Sequence, residues 1–439
     1  MIKKKNYFYS TCYFYNVIVE YKHTDDEIII RHLEDDRQKI KLKFFNFGAK
    51  LTLWFKADYV EKQERGGYDM GYEIHAEKGL VNRGNLYRLK ELMKRAESGD
   101  RMTLAFLGGS ITQGAVSTRH TNCYAYLVYE WFVRRFPKTA FTYINAGVGG
   151  TTSQFGVSRV DEDVLLYKPD FVIIEFSVND DNNDFYQETY EGLVRKVYGN
   201  AYEPAVLLVH NIFYDTGVSA EEKHRVIGAH YGLPSVSMKT TIYPEVASGV
   251  IPNREITPDD LHPNANGHEL VAEVITDCLD RIYMCRWEEE VKPMDMPEPV
   301  TANAYAQAKR YQNHNSSPVC NGFTVDNTLK KYVSDTFRCG WTASEKGASI
   351  IFEVEGTEIA VQYRKSVNKP APVAIAIVDG DDAHAFTLDA NFDEDWGDCL
   401  HIDTVAYHIK PGVHKVEIRL TETHENDAVP FYLVSVIVA

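Results

Sequence analysis

The run Phe171-Val172-Ile173-Ile174-Glu175-Phe176 is almost continuously apolar and is flanked on both sides by stretches with helical spacing. A strand that can afford no polar face must be covered on both sides, as in the middle of a parallel sheet. Other short apolar runs at 102–107, 141–145, 205–212 and 233–238, with 170–176 among them, read as strands of the same sheet. Between and around them, 82–98, 123–136, 154–167, 186–198, 220–231 and 265–286 carry apolar residues at helical spacing. Strands alternating with helices imply a three-layer α/β/α sandwich, with chemistry beyond the carboxyl ends of its strands.

Both flanks have a different texture. Residues 27–31, 39–45 and 49–55 read as short strands, and 39–44 alternate strictly between polar and apolar. Residues 61–78 are Gly-rich and charged, as a linker would be. The stretch 287–299 is acidic and holds Pro293, Pro297 and Pro299, a second linker. Beyond it, 348–354, 358–363, 373–378, 385–388, 403–409, 414–420 and 431–438 read as strands separated by turns such as Asp379-Gly380. So many short strands imply a β-sandwich. The expected organisation is an N-terminal β segment over 1–80, an α/β domain over 81–290 and a C-terminal β-sandwich over 300–439.

Motifs at the strand ends and in one loop carry complementary chemistry. Gly108-Gly109-Ser110 follows the first apolar strand of the α/β region, and its glycines permit a tight turn and close approach of a substrate. Ser110 is the candidate nucleophile. A serine hydroxyl needs a base within hydrogen-bond reach and an orienter behind that base. Asp259-Asp260-Leu261-His262-Pro263 supplies both from one short loop, with His262 as base and Asp259 as orienter. Asp260 is the rival orienter and His210, at a strand end, the rival base or a wall of the substrate pocket. Backbone N–H groups of Ser110 and Gly150, with the side-chain amide of Asn179, form a candidate oxyanion hole; one such donor is worth about 3–4 kcal/mol of barrier. Asp180, Asp181 and Asp184 are either contacts for a polyol or a solvated acidic loop, and Trp341, Trp396, Tyr363 and Tyr407 are either stacking surfaces for sugar rings or core aromatics.

These residues, in this order, resemble the SGNH/GDSL hydrolase superfamily, whose signature letters match Ser110, Gly150, Asn179 and His262, with Asp259 as the triad acid. The resemblance covers roughly 84–285 and departs at two positions. Gly109 stands where the family often has Asp, and Ser177 where it usually has Gly. The resemblance implies a flavodoxin-like sheet and no metal. A hydrolase core joined to a β-sandwich further resembles bacterial two-domain carbohydrate esterases that remove acetyl groups from hemicelluloses such as mannan or xylan. A serine esterase acting on O-acetylated oligosaccharides is therefore expected, with no cofactor. The alternatives are a lipase or acyl-thioester hydrolase on the same machinery, or a non-catalytic carbohydrate-binding protein.

Charge and cysteine content narrow the partners. A formal charge of −16 over 439 residues disfavours nucleic acid and anionic membrane surfaces and suits a neutral substrate. No apolar run reaches the roughly 18 residues that a spanning helix needs. Lys3 to Lys5 precede an aromatic, hydroxylated run rather than an aliphatic one, and no small-x-small cleavage site follows. The seven cysteines form no Cys-x-x-Cys pair and no disulfide-like rhythm. A cytoplasmic protein with reduced thiols is expected, with export the alternative.

Overall fold

The structure is a computed structural model that describes the backbone of four strands within residues 11–42, and residues 72–439 apart from 294. The chain divides into two compact units, 1–69 and 70–439. In the first, β1 (Thr11–Phe14), β2 (Val17–Lys22), β3 (Glu27–His32) and β4 (Asp35–Leu42) form an antiparallel meander in chain order. The expected strand at 49–55 lies outside the described residues.

The second unit begins with an α/β region. Its sheet contains β5 (Leu80–Asn82), β6 (Met102–Gly108), β7 (Phe141–Gly147), β8 (Phe171–Glu175), β9 (Ala205–His210) and β10 (Ser235–Ser237), in the order β5-β10-β9-β8-β6-β7. All neighbours are parallel except β5, which pairs antiparallel with β10 at one edge. The helices are α1 (Tyr87–Ser98), α2 (Ser110–Gln113), α3 (Tyr124–Arg135), α4 (Ser153–Asp163), α5 (Asp184–Tyr198), α6 (Glu221–His230), α7 (Ile242–Ala247), α8 (Asn253–Ile256) and α9 (Ala265–Met284).

The composition of β8 now has its explanation. Phe171 and Ile173 enter a core with Met93 of α1, Phe132 of α3 and Leu279 of α9. Val172 and Ile174 enter a second core with Val157 of α4, Leu193 of α5 and Ile227 of α6. Each face of the strand supplies one core, so a polar face has nowhere to go. The architecture is a flavodoxin-like three-layer α/β/α sandwich. Its strand order reverses at β6, which has β7 on one side and β8 on the other, and that reversal opens the crevice in which such sheets bind ligands.

The C-terminal region is a β-sandwich. One sheet joins β13 (Thr324–Val325), β14 (Trp341–Ala343), β21 (Phe431–Val438), β16 (Ile359–Lys365) and β19 (Cys399–Ala406), with β11 (Lys309–Tyr311) also paired to β21. The other joins β12 (Val319–Asn321), β15 (Ser349–Gly356), β20 (Gly412–Glu422), β17 (Val373–Val378) and β18 (Phe386–Asp389). Along β20, Val416, Ile418 and Leu420 enter the shared core. The residues that alternate with them, Lys415, Glu417 and Arg419, are charged, the period-2 signature of a half-buried strand. The short strands β11 to β14 escape sequence reading because they are two or three residues long. β19 begins at Cys399, earlier than the expected 403, because Leu400 and Ile402 pair with Arg364 and Gln362 of β16.

β21 is buried along its whole length. Phe431, Leu433, Val436 and Val438 face the sandwich core. Tyr432, Val434 and Ile437 face Val148 and Phe155 of the α/β region. The sandwich is thus docked on the segment between β7 and α4. Polar contacts reinforce the seam: Gln154 Nε2 donates to Thr404 Oγ1 at 2.8 Å, and Tyr407 OH to Glu188 Oε2 at 3.0 Å. The stretch expected as a linker at 287–299 is also anchored, since Arg83 donates twice to Glu290, at 3.0 and 2.8 Å.

Two expected stacking residues are core residues instead. Trp341 is 1% exposed and packs edge-to-face on Phe352 at 5.3 Å between centroids. Tyr363 is likewise buried, with its hydroxyl donating to Asp403 at 2.8 Å. Neither ring can meet a sugar; both sit on inward positions of their strands. Trp341→Ala should therefore destabilise the sandwich by about 3–5 kcal/mol, the usual range for an aromatic core truncation. A urea-unfolding midpoint that does not move would contradict this placement in the core.

Candidate active site

Ser110 opens α2 immediately beyond the carboxyl end of β6. Its Oγ lies 2.8 Å from His262 Nε2. His262 Nδ1 in turn lies 2.7 Å from Asp259 Oδ2. An ionised carboxylate only accepts, so Nδ1 carries the ring proton and Nε2 is left to accept from the serine. Asp259 Oδ1 also takes the backbone N–H groups of His262 at 2.7 Å and Leu261 at 3.1 Å, and the hydroxyl of Thr257 at 3.2 Å. Burial disfavours its charge, but the His262 ring and these N–H groups outweigh burial and hold its carboxyl below the usual range. The loop is closed by Asn264, whose side chain caps α9 by accepting from the N–H groups of Asn266 and Gly267.

The rival orienter is turned elsewhere. Asp260 has a positive φ of 68° and its carboxylate is taken by Arg254, at 2.6 and 2.8 Å, and by Asn253. His210 is fully buried, and neither of its ring nitrogens has a hydrogen-bond partner among protein atoms. Burial, with the nearby His224, pushes its pKa well below the ordinary value. It is therefore a neutral core histidine, neither the base nor a pocket wall. Asp180 is also a correction: its side chain is inaccessible, accepting the Ser153 N–H at 2.8 Å and bonding His224 Nε2 at 3.0 Å. It cannot reach a polyol, because it is the internal brace between the Asn179 turn and the start of α4.

The oxyanion candidates sit on loops that follow neighbouring strands. Phe176 O accepts the N–H groups of both Asn179, at 3.1 Å, and Asp180, at 3.0 Å, which makes a tight turn after β8. The segment bearing Gly150 is tied to β6 by the Val148 N–H donating to Gly108 O at 3.1 Å, and to α2 by the Gly149 N–H donating to Gln113 Oε1 at 2.8 Å. Gly150 has φ of 68°, a conformation that glycine adopts without penalty. A Cβ on Gly150 would meet one side chain within 4 Å, Trp396, at 3.8 Å. Trp396 comes from the loop between β18 and β19, is 57% exposed, and donates Nε1 to Glu394 Oε2 at 2.6 Å. Trp396 thus stands beside Gly150 and is open to solvent.

Several residues in this assembly carry no motif. Arg159, fully buried on α4, donates Nη2 to Gly108 O at 3.2 Å and to Ala146 O at 2.7 Å, clamping the ends of β6 and β7 together. Its charge is balanced by Asp163, one turn along the same helix, at 3.0 Å. Gln113 is legible only as the third residue after Ser110. Thr257, two residues before Asp259, has the spacing of a side-chain turn and was detectable on that ground. Beneath α2, Thr112 Oγ1 donates to Glu175 Oε2 at 3.3 Å. Burial pushes the Glu175 carboxyl up to about 7, against the lowering effect of such hydrogen bonds. Among the described residues, no group of three or more His, Cys, Asp or Glu side chains is arranged to hold a metal ion.

Residues 106–270 match the GDSL-like Lipase/Acylhydrolase family. Two solved structures are similar over nearly their whole length. One is a two-domain esterase (CEX) active on acetylated mannans, 59% identical over 83% of this chain and 98% of that one, with a TM-score of 0.81. The other is the same kind of esterase co-crystallised with mannopentaose, 60% identical over 84% of this chain and 98% of that one, with a TM-score of 0.81. No curated protein matches the chain.

The Glu175 carboxyl yields a pH test. It loses its proton near its ordinary value of 4.5 in the unfolded chain but near 7 when folded. Between those values the unfolded chain binds fewer protons, so stability falls as pH rises across that window; below it the penalty is absent and above it complete. Glu175→Gln removes the titration. Its melting temperature relative to the parent should be higher at pH 8 than at pH 5, and an equal difference at both would contradict the assignment.

Proposed function

This chain belongs to the GDSL-like lipase/acylhydrolase family, and from that premise we propose that it is a serine esterase that removes O-acetyl groups from acetylated mannan or its oligosaccharides. The observation that carries the proposal is the unbroken relay from Ser110 Oγ through His262 to Asp259, at 2.8 and 2.7 Å. In this reading Ser110 Oγ attacks the acetyl carbonyl carbon as His262 Nε2 takes its proton. The carbonyl oxygen becomes an oxyanion, met by the N–H groups of Ser110 and Gly150 and the amide of Asn179. Asp259 keeps the ring in the required tautomer and balances the imidazolium. Collapse expels the sugar oxygen, which leaves with the proton from His262. Water then attacks the acetyl-serine with His262 as base, releasing acetate and restoring the Ser110 hydroxyl.

The choice of sugar is supported by what the two similar esterases act on and bind. It is also supported by Trp396, an exposed indole from the sandwich beside Gly150 that offers a stacking face to a pyranose. The chain's strongly acidic charge suits a neutral glycan and disfavours nucleic acid and anionic membranes. Among the described residues no helix is long and apolar enough to cross a membrane. A cytoplasmic setting is supported by the six described cysteines, all free thiols.

Acetate release from acetylated mannan, compared with acetylated xylan, tests the substrate; faster release from xylan would overturn the mannan assignment. Ser110→Ala should lower kcat by a factor on the order of 10⁴ or more. Asp259→Asn should cost roughly 10³–10⁴ in kcat, the scale seen when a triad carboxylate is neutralised. Asp260→Asn should leave the rate close to that of the parent. Equal losses from the two aspartate variants would contradict the roles given to them.

A further inference from the structure

We propose that Gly109 is a positioning residue: by lacking a side chain it leaves the space in which Asn179 holds its carboxamide toward the developing oxyanion. The inference rests on the reading of Asn179 as an oxyanion donor and concerns what keeps that donor aimed. Gly109 joins β6 to Ser110 and has a negative φ of −88°, so unusual backbone freedom is not what the site asks of it. What it supplies is room. A Cβ built on Gly109 would fall far inside contact distance of Asn179 Oδ1, 3.1 Å from Asn179 Cγ and 3.5 Å from Thr151 O.

The Asn179 backbone has little freedom to retreat. Its N–H and that of Asp180 both donate to Phe176 O, and the buried Asp180 carboxylate is held by Ser153 and His224. The side chain is different. Asn179 Oδ1 is buried but accepts no hydrogen bond from protein, so no such bond holds the rotation of the amide, and Gly109 packs directly against it. Rotation of the carboxamide is therefore the cheapest answer to an added Cβ. Oδ1 and Nδ2 share one rigid plane, so displacing the oxygen carries the donor off target. Because the oxyanion charge exists in the transition state and not in the bound ester, the loss falls on kcat and leaves KM little changed.

The experiment compares kcat and KM on one soluble acetyl ester for the parent, Gly109→Ala, Asn179→Ala and the double variant. Asn179→Ala should lower kcat by about a hundredfold to a thousandfold, the usual cost of one oxyanion donor. Gly109→Ala should lower kcat by at least about tenfold within that same limit, with KM within a factor of about two. The double variant should be no slower than Asn179→Ala, because the added methyl then has no amide to displace. Losses that multiply in the double variant, or a Gly109→Ala enzyme with undiminished kcat, would overturn the inference while leaving the function standing. Undiminished kcat in Asn179→Ala would instead remove the oxyanion reading, and this inference with it. If Gly109→Ala fails to fold, thermal melting decides: a double variant that melts with Asn179→Ala supports the inference, and one that also fails to fold refutes it.

Discussion

The parallel register of β7, β6 and β8 is the constraint from which the rest of the site follows. Parallel strands must all end on one edge, and reversal of strand order at β6 spreads the loops after these strands around one crevice. Ser110, Gly150 and Asn179 lie two, three and four residues beyond those ends. Arg159 holds the edge together. Its guanidinium joins Gly108 O to Ala146 O, so the turn bearing Ser110 and the segment bearing Gly150 share one buried cation. Asp163 balances this buried charge and two carbonyls take Nη2, while Nε has no protein partner.

His262 and Asp259 reach this edge from a loop rather than a strand, and the loop has its own scaffolding. Thr257, the Leu261 and His262 N–H groups and the Asn264 cap fix its path, while Arg254 draws Asp260 away from the ring. The second domain is seated on the remaining side. Because β21 buries both faces, the sandwich cannot be separated from the α/β region without exposing Tyr432, Val434 and Ile437, along with Val148 and Phe155 opposite them. Val148 lies two residues before Gly150, so the docking surface and the crevice share a segment. This brings Trp396 within 3.8 Å of the position a Gly150 Cβ would take.

Much of this was legible before any coordinates. The continuous apolar run of β8 predicts a strand with two cores, and both are present. The order of Ser110, Asn179, Asp259 and His262 was enough to nominate them together, because each follows a strand end or sits in a short rigid loop. Periodicity cannot tell an inward aromatic from an outward one when its strand is three residues long, which is why the core residue Trp341 and the exposed Trp396 were not distinguished. Polar residues at or just past strand ends are equally ambiguous: Asp180 and His210 turn into the protein while Asn179 sits at the crevice, and no local pattern separates them. Arg159, Gln113 and Glu175 carry no motif of their own, because their carbonyl, N–H and hydroxyl partners come from other segments that only folding brings close.

The central claim is that one imidazole activates one hydroxyl across a single hydrogen bond. A fluorophosphonate reports on it directly, since the reagent forms a covalent bond with an activated serine and not with an ordinary one. Intact-protein mass spectrometry with peptide mapping should find one adduct, on Ser110, whose rate of formation falls by roughly 10³ or more in His262→Ala. An adduct on another residue, or an unchanged labelling rate without the imidazole, would contradict the account.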